Sequence, residues 1–432
     1  MYRHAIKDLI EWKNNPKHLP LILKGARQVG KTWLMQEFGK KEYKKVAYIS
    51  FDSNSRLDIL FQGDLNTKRL LDGLGIEVGF KITPKDTLII FDEIQENSLA
   101  ITSLKYFAEN APEYDIIAAG SLLGVSYHKG TGFPVGKVES YELRPLSFQE
   151  FLLAIKESSI LEIIENNNFD MLEVFKDKII DLLRKYCYVG GMPKAIQEYS
   201  ETQDYQLVRK IQKNILNDYE QDFSKHIPQE QIERTRLLWN SIPSQLIKEN
   251  KKCVYRQIKS GTRAKDFEIS LNWLINSGLV YKISRVTEPK MPLKAYEDIS
   301  AYKLFILDTG LLGAMTDLDV KSLLENDKLF KDYNGAITEQ YVLQELKTIK
   351  DLPIFYWAIN RAELDFIIQH RSEIIPIEAK ATINLQAKSL KSYREKFNPK
   401  YAVRTSLANY EENHGLFNIP LFLIKNICKL LG

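Results

Sequence analysis

Residues 21–38, LILKGARQVGKTWLMQEF, constrain the fold more than any other stretch of the chain. An apolar run is followed by the pattern G-x-x-x-x-G-K-T and then by helix-forming residues, which is the context of a phosphate-binding loop between a buried strand and a helix. Gly25 and Gly30 permit the tight backbone turn. The N–H groups of Gly25, Ala26, Arg27, Gln28, Val29, Gly30, Lys31 and Thr32 would point inward at phosphate oxygens, helped by the helix N-terminus. Lys31 would neutralise the β- and γ-phosphates, and Thr32 would offer its hydroxyl to Mg²⁺. A nucleotide such as ATP, with Mg²⁺, is the ligand this pattern suits.

The stretch TLIIFDEIQ (87–95) supports the same chemistry independently. Asp92 ends an apolar strand, so its carboxylate falls at the sheet edge where open α/β sheets bind ligands. It would hold Mg²⁺ through water, and Glu93 would orient or polarise an attacking water. The run YDIIAAGS ends in Ser121. A polar residue there either contacts the γ-phosphate or caps a helix or turn, and the sequence leaves both open. LPLILKGA, KVAYISFD, TLIIFDE, YDIIAAGS and KVESYELRPLS read as five strands separated by helices, a βαβ succession that predicts a parallel sheet.

A chain of 432 residues exceeds one hydrophobic core, and two to four domains are expected. The apolar share of 44% and charged share of 27% are those of a soluble globular protein. A net charge of +4 neither favours nor excludes nucleic acid, so any basic surface must be local. No apolar run approaches the ~20 residues that span a bilayer, and the charged first twenty residues lack a signal-peptide core. Cys187, Cys253 and Cys428 are widely spaced, which argues for a reducing compartment and against zinc. A cytoplasmic protein without a membrane partner is the expectation.

After Phe148 the pattern turns helical to about Lys225, broken once by VGGMPKA (189–195). Residues 231–286 read as three helices and a strand, LVYKISRV, the cadence of a winged helix. Between Lys248 and Lys265 there are seven Lys/Arg and one Glu, with Tyr255 and Arg256 interleaved. That stripe would suit DNA phosphates, although a winged helix inside an ATPase also serves as a regulatory spacer. The expected division is an ATPase core at 1–150, a helical lid at 151–230, a winged helix at 231–290, a connector at 291–330 and a last domain at 331–432.

The last domain carries a second charged constellation. Alternation along ELDFII (363–368) puts Glu363 and Asp365 on one face, and along IIPIEAK (374–380) it puts Glu378 and Lys380 on one face. Adjacent antiparallel strands would bring Asp365 near Glu378 and Lys380. Converging carboxylates make an oxygen-rich Mg²⁺ site, beside which a lysine can stabilise charge developing on phosphate. Glu339, in the helix GAITEQYVLQELKTI, shares the inward face of Val342, Leu343 and Leu346 and would need a partner. The alternative is a hairpin face satisfied by Lys380–Glu378 or Arg361–Glu363 pairing. Pro376 implies that its strand is an edge or is bulged there. Lys388, Lys391 and Glu395 fall on one face of a following basic helix, with Arg394 adjacent.

GARQVGKT, FDEIQ, AAGSLLG, ELRPLSFQEF, YVGGMP, LDTGLL, the G-x-x-x-E of Gly335–Glu339, ELDFII and IEAK occur in an order that resembles a prokaryotic AAA-type ATPase family. That family joins the ATPase to a winged helix and a C-terminal domain of uncertain function, the DUF4143 type. The resemblance covers nearly the whole chain. It implies a sheet in which the strand of Ser121 separates the strand of Asp92 from that of the phosphate loop. Glu339, Asp365, Glu378 and Lys380 resemble the core of restriction-endonuclease-like nucleases. One departure is Gly136–Lys137, where the family usually has Gly-Arg; lysine keeps the charge but loses the planar fork. Arg144 is a second cation near that strand, and either could act across a homo-oligomer interface. Lys194, after YVGGMP, is read as a solvated helix cation.

The leading expectation is a Mg²⁺-dependent ATPase coupled to a nuclease-like, DNA-binding domain, with Lys31, Glu93 and Lys380 catalytic and Glu339, Asp365 and Glu378 as second metal ligands. The alternative is a nucleotide-operated switch that binds a protein or DNA partner without cleaving it. A small-molecule kinase would need neither the winged helix nor the C-terminal acids.

Overall fold

A computed structural model describes residues 2–52, 54–120, 134–247, 253, 255, 258, 261–321, 331–360, 362–382 and 387–432. Its contacts divide the chain into two compact units, one of residues 2–144 with 276–278, the other of 145–275 and 279–432.

The first unit is built on five strands: β1 Leu21–Lys24, β2 Lys45–Ser50, β3 Thr87–Asp92, β4 Asp115–Ala119 and β5 Glu139–Glu142. Their order is β2-β3-β4-β1-β5, and every pairing is parallel. β4 therefore separates the strand of Asp92 from the strand that leads into the phosphate loop, as the resemblance implied. The sequence explains which strands lie inside. β3 and β4 are buried at every position, while β2 and β5, at the edges, alternate between covered and exposed residues. A strand covered on both faces has no polar face to show. Ile89, Phe91, Ile116 and Ala118 pack against Leu104 and Phe107 of the helix Ser98–Asn110 in one core. Because all strands run the same way, the loop after β1 and the end of β3 share one edge of the sheet.

The second unit begins with helices. The segment SFQEF opens the helix Phe148–Ala154 through a capping box: the Ser147 hydroxyl accepts from the Glu150 amide and the Glu150 carboxylate from the Ser147 amide. Further helices run from Ser158 to His226, including Lys176–Val189 and Tyr205–His226. Beyond the helices Gln229–Leu246 and Glu268–Asn276 comes an eight-stranded mixed sheet. Its strands are β6 Val280–Val286, β7 Glu297–Ile306, β8 Ile354–Ile359, β9 Ala362–His370, β10 Glu373–Ala379, β11 Ala402–Ser406, β12 Glu411–Asn413 and β13 Leu416–Pro420. Their order is β12-β13-β11-β10-β9-β8-β6-β7. The strands taken from the winged-helix and connector segments, β6 and β7, thus pair into the same sheet as those after residue 331, through Arg285–Tyr356 and Val286–Trp357.

Pro376 departs from expectation. β10 lies inside the sheet, and its ladder to β9 shows no register shift at Pro376. The parallel ladder to β11 starts only at Ile377. The proline, lacking an N–H, sits one residue before the second ladder begins, so an interior strand tolerates it.

YVGGMP and LDTGLL meet around a buried carboxylate. Asp308 accepts from the Gly191 amide at 2.5 Å and from the Leu311 amide at 3.0 Å, and it caps the helix Thr309–Met315. A Cβ on Gly191 would fall 2.2 Å from the Leu146 carbonyl oxygen, so only glycine permits this approach. Gln344, on the helix Lys331–Lys347, donates to the Tyr186 hydroxyl and accepts from the Thr309 amide. The next residue, Glu345, is also buried and accepts from the Phe148 amide at 2.8 Å. YVGGMP therefore helps close the core of the second unit, and Lys194 after it is solvent-exposed.

Burial pushes the Asp308 carboxyl up to about 6, although the Gly191 and Leu311 amides oppose it. Burial pushes Glu345 up to about 7 against the Lys425 charge and the Phe148 amide. A carboxylate raised above its unfolded value binds its proton more tightly when folded. The stability it contributes is complete below the ordinary carboxylate range and is lost as pH rises through the folded value. The thermal midpoint of this unit is expected to be lower at pH 8 than at pH 5.5. Glu345→Gln, which keeps an acceptor for the Phe148 amide, should flatten that slope and recover on the order of 3 kcal/mol at pH 8, read from denaturation curves across pH.

Candidate phosphate site and the C-terminal charge cluster

The loop between β1 and the helix Lys31–Glu42 has the shape its glycines require. A Cβ on Gly25 would meet the Leu143 carbonyl oxygen at 2.4 Å. Gly30 caps the helix with φ 92°, and Gln28 also takes a positive φ of 65°. Ala26 and Val29 are buried and hold the loop down, while Arg27 is half-buried and Gln28 exposed. Lys31 folds back on its own loop, donating to the carbonyls of Gly25 and Ala26 at 3.0 Å each. Burial pulls its ammonium down to about 8, with Glu93 and Asp92 opposing that pull and Arg27 adding to it. Thr32 follows in the first turn of the same helix.

Asp92 stands at the end of β3, and both of its oxygens are engaged. One accepts from the Tyr48 hydroxyl at 2.8 Å, the other from the Glu93 amide at 3.1 Å. Glu93 takes a left-handed backbone conformation, φ 51°, and its carboxylate accepts from the Gln95 side-chain amide at 2.5 Å. Sequence reading missed three residues here. Tyr48 lies on β2 beside β3, where a tyrosine in an edge strand reads as surface. Gln95 sits in FDEIQ without a distinguishing neighbour. Arg3 is almost fully buried and donates to the carbonyls of Val29 and Arg144, bracing the loop from a position far from any motif.

Ser121 lies outside the described residues. Lys137 pairs with Glu109 at 3.0 Å, and Arg144 with Glu142 at 2.6 Å.

In the second unit, Asp365 and Glu378 face each other across the antiparallel β9–β10 pair, one step beyond the register pair Phe366–Ile377. Asp365 accepts from the Ala379 amide at 2.8 Å, and Glu378 pairs with Lys380 at 2.6 Å. Burial, then the Asp365 charge, pushes the Glu378 carboxyl up, while Lys380 pulls it back. The Lys380 ammonium is raised: burial lowers it, but Glu378, Asp365 and Glu339 together outweigh that. Glu339 is buried on the inward face with Val342, Leu343 and Leu346, as its spacing indicated.

Glu339 lies near a lysine that the sequence reading did not single out. Lys303, on β7, is completely buried and brings its ammonium within 4.0 Å of Glu339 and 2.5 Å of Glu363. The Tyr356 ring lies 4.9 Å from the same ammonium. Burial works against that charge, but Glu339, Glu363 and Asp365 hold it above the ordinary lysine range. Among the described residues no group of three or more acids, histidines or cysteines is arranged to hold a metal ion. Two lysines, Lys303 and Lys380, bring positive charge to the carboxylates that the sequence reading offered as metal ligands, Glu339, Asp365 and Glu378. The signal was present in the sequence, because Lys303 heads the apolar run LFIL, where a lysine must have a buried counter-charge. Arg361, the expected partner of Glu363, lies outside the described residues.

The basic segments fare differently. Most of the 248–265 stripe, Arg256 included, lies outside the described residues. Tyr255 is buried; its hydroxyl bonds that of Tyr302, and its ring stacks 5.3 Å from Phe267, so it belongs to the core. On the helix Lys388–Phe397, Lys391 pairs loosely with Glu395 at 3.9 Å. Lys391, Arg394, Asn398 and Arg404 line an open cavity of about 530 Å³.

Three family models match separate parts of the chain. Residues 17–152 match a family described as an AAA domain, residues 180–322 a domain of unknown function, DUF8612, and residues 334–424 another, DUF4143. The first unit is therefore an AAA-type P-loop domain, and a separate DUF4143 domain closes the chain. Among solved structures, the chain resembles the Walker-type ATPase PABY2304 of Pyrococcus abyssi at 15% identity and TM-score 0.45, over 73% of this chain and 95% of that one. A RuvB point variant of Thermotoga maritima aligns at 12% identity and TM-score 0.30, over 65% and 89%. Cdc6p of Pyrobaculum aerophilum aligns at 12% identity and TM-score 0.27, over 76% and 95%. No curated protein matches. Among the described residues no helix is long and apolar enough to cross a membrane.

Two expectations follow from the phosphate site. A lysine held near 8 must be charged to meet a triphosphate, so ATP affinity should weaken as pH rises above 8, approaching about tenfold per unit; a fluorescent nucleotide titrated between pH 7 and 9.5 measures it. Tyr48→Phe removes the hydroxyl that orients Asp92. It should raise the Mg²⁺ concentration needed for half-maximal nucleotide turnover by about tenfold, with a much smaller effect on nucleotide binding without Mg²⁺.

Proposed function

We propose that this chain is a nucleotide-operated switch: its first unit binds ATP with Mg²⁺ and hydrolyses it, and its second unit binds a protein or DNA partner without cutting it. The observation that carries the ATPase half is the convergence of Lys31, Asp92 and Glu93 at one edge of a parallel sheet, where Lys31 already feels both carboxylates. The residues suit the ligand. Gly25 leaves backbone where a side chain cannot go, Thr32 lies in the helix's first turn, and Asp92 offers a buried carboxylate. Thr32 and Asp92 would hold Mg²⁺, which would offset the negative charge of the phosphates.

The chain's own residues must then rearrange. Lys31 releases the Gly25 and Ala26 carbonyls and turns its ammonium to the phosphates. Glu93 leaves Gln95 to orient a water and take its proton. Both carboxylate and ammonium are parked on neighbours within the loop region, so nucleotide arrival costs these local bonds and gains charge-assisted ones.

The succession of the helix Lys331–Lys347, β8, β9, β10, the helix Lys388–Phe397 and β11 supports a restriction-endonuclease-like fold for the last domain, with β10 parallel to β11. The helices before β6 support a winged-helix reading of 231–290. The binding-only role rests on the lysine-filled acidic cluster, and the cavity lined by Lys391, Arg394 and Arg404 is the surface offered to an acidic partner.

Mg²⁺-dependent ATP hydrolysis by the full chain tests the first half. Glu93→Gln should lower turnover by about a hundredfold or more, and Lys31→Ala should abolish nucleotide binding; equal rates in all three would remove the ATPase. For the second half, wild type and Asp365→Ala should both leave DNA intact with Mg²⁺ or Mn²⁺, with or without ATP. Nicking by wild type that Asp365→Ala loses would restore the nuclease. Partner affinity should differ between the ATP- and ADP-bound chain.

A further inference from the structure

The acidic cluster of the second unit gathers carboxylates from three elements. Glu339 comes from the helix Lys331–Lys347, Glu363 and Asp365 from β9, and Glu378 from β10. Glu339 and Glu378 are almost fully buried. Such a group cannot stay ionised without cations, because each unpaired buried charge costs several kcal/mol. Lys380 serves one side of it, pairing with Glu378. The other side is served by a lysine from outside the nuclease-like segment altogether.

We infer that Lys303 is the resident cation of this cluster: its ammonium fills the place a divalent ion would take among Glu339, Glu363 and Asp365, so the unit neither binds nor needs a metal there. The side chain is completely buried and lies against a carboxylate from the helix, a carboxylate from β9 and the face of Tyr356 from β8. Three elements thus converge on one nitrogen. An ammonium and a hydrated divalent ion exclude each other in such a space. They compete for the same carboxylates, and a positive charge within about 4 Å raises the cost of adding two more.

The cation also crosses a boundary. Lys303 lies in the segment that matches DUF8612, whereas all of its carboxylate partners lie in the segment that matches DUF4143. The charge pairs hold the β6–β7 hairpin to the C-terminal domain by a bond that no metal chelator can remove. This inference rests on the same lysine-filled cluster as the proposed binding-only role. Metal binding and cleavage are therefore read separately.

The test is Mn²⁺ binding to the nucleotide-free full chain, monitored through the loss of the free Mn²⁺ resonance signal. Wild type and Asp365→Asn should bind Mn²⁺ equally weakly. Lys303→Met keeps the apolar stem and removes the charge; it should gain one Mn²⁺ site at least about tenfold tighter than any in wild type, and adding Asp365→Asn should abolish the gain. Because Lys303→Met alone leaves Glu363 unpaired, a second variant, Lys303→Gln, removes the charge, keeps a hydrogen-bond donor for Glu363 and all of the carboxylates, and should fold and show the same gain. A Mn²⁺ site in wild type that Asp365→Asn destroys would overturn the inference, as would folded Lys303→Gln binding Mn²⁺ no better than wild type. Gain of Mn²⁺ without DNA cleavage supports it.

Discussion

A charge taken out of water has to be met by an opposite charge or by several hydrogen bonds, and much of this molecule is arranged around that requirement. Arg3 is buried and spends its guanidinium on two carbonyls behind the phosphate loop. Asp308 is buried and is met by backbone amides from two motifs far apart in sequence. Lys303 is buried and is met by carboxylates from two further elements. Each group, once satisfied, fixes the segments that satisfy it. Buried ions contribute little net stability when paired and cost much when unpaired, so they specify arrangement more than they add free energy.

The two units use this constraint differently. In the first, the charged groups at the sheet edge are only provisionally satisfied. Lys31 rests on its own loop and Glu93 on a glutamine two residues away, both partners that a phosphate or a water can replace. In the second, the charged groups lie against opposite charges and amides of other buried elements. A site meant to turn over needs groups that can change partners, and a scaffold needs groups that cannot.

The legible parts of the fold were those in which neighbours in sequence are neighbours in space. The five parallel strands, the turn of GARQVGKT, the Asp92 carboxylate at a strand end and the β9–β10 hairpin with its facing acids all follow from local periodicity. The illegible parts depend on strands and helices that meet across long separations. Nothing near Tyr48 says that its hydroxyl supports Asp92, because that contact comes from the β2–β3 register. Nothing near Pro376 says that the second ladder starts one residue later. Tyr255, interleaved in the basic stripe, is a core ring, since burial depends on what packs over it.

The sequence by itself determined a nucleotide-shaped loop, a carboxylate pair beside it and an acidic face on a distant hairpin, because each is a short-range consequence of glycine geometry or of strand alternation. Only the tertiary structure decided what neutralises that acidic face. The spacing of Glu339, Asp365 and Glu378 is compatible with a divalent ion, but a lysine from another strand is equally able to supply the charge. Electrostatic compensation acts through space, and the sheet order that carries Lys303 to its partners is set by packing along the whole unit.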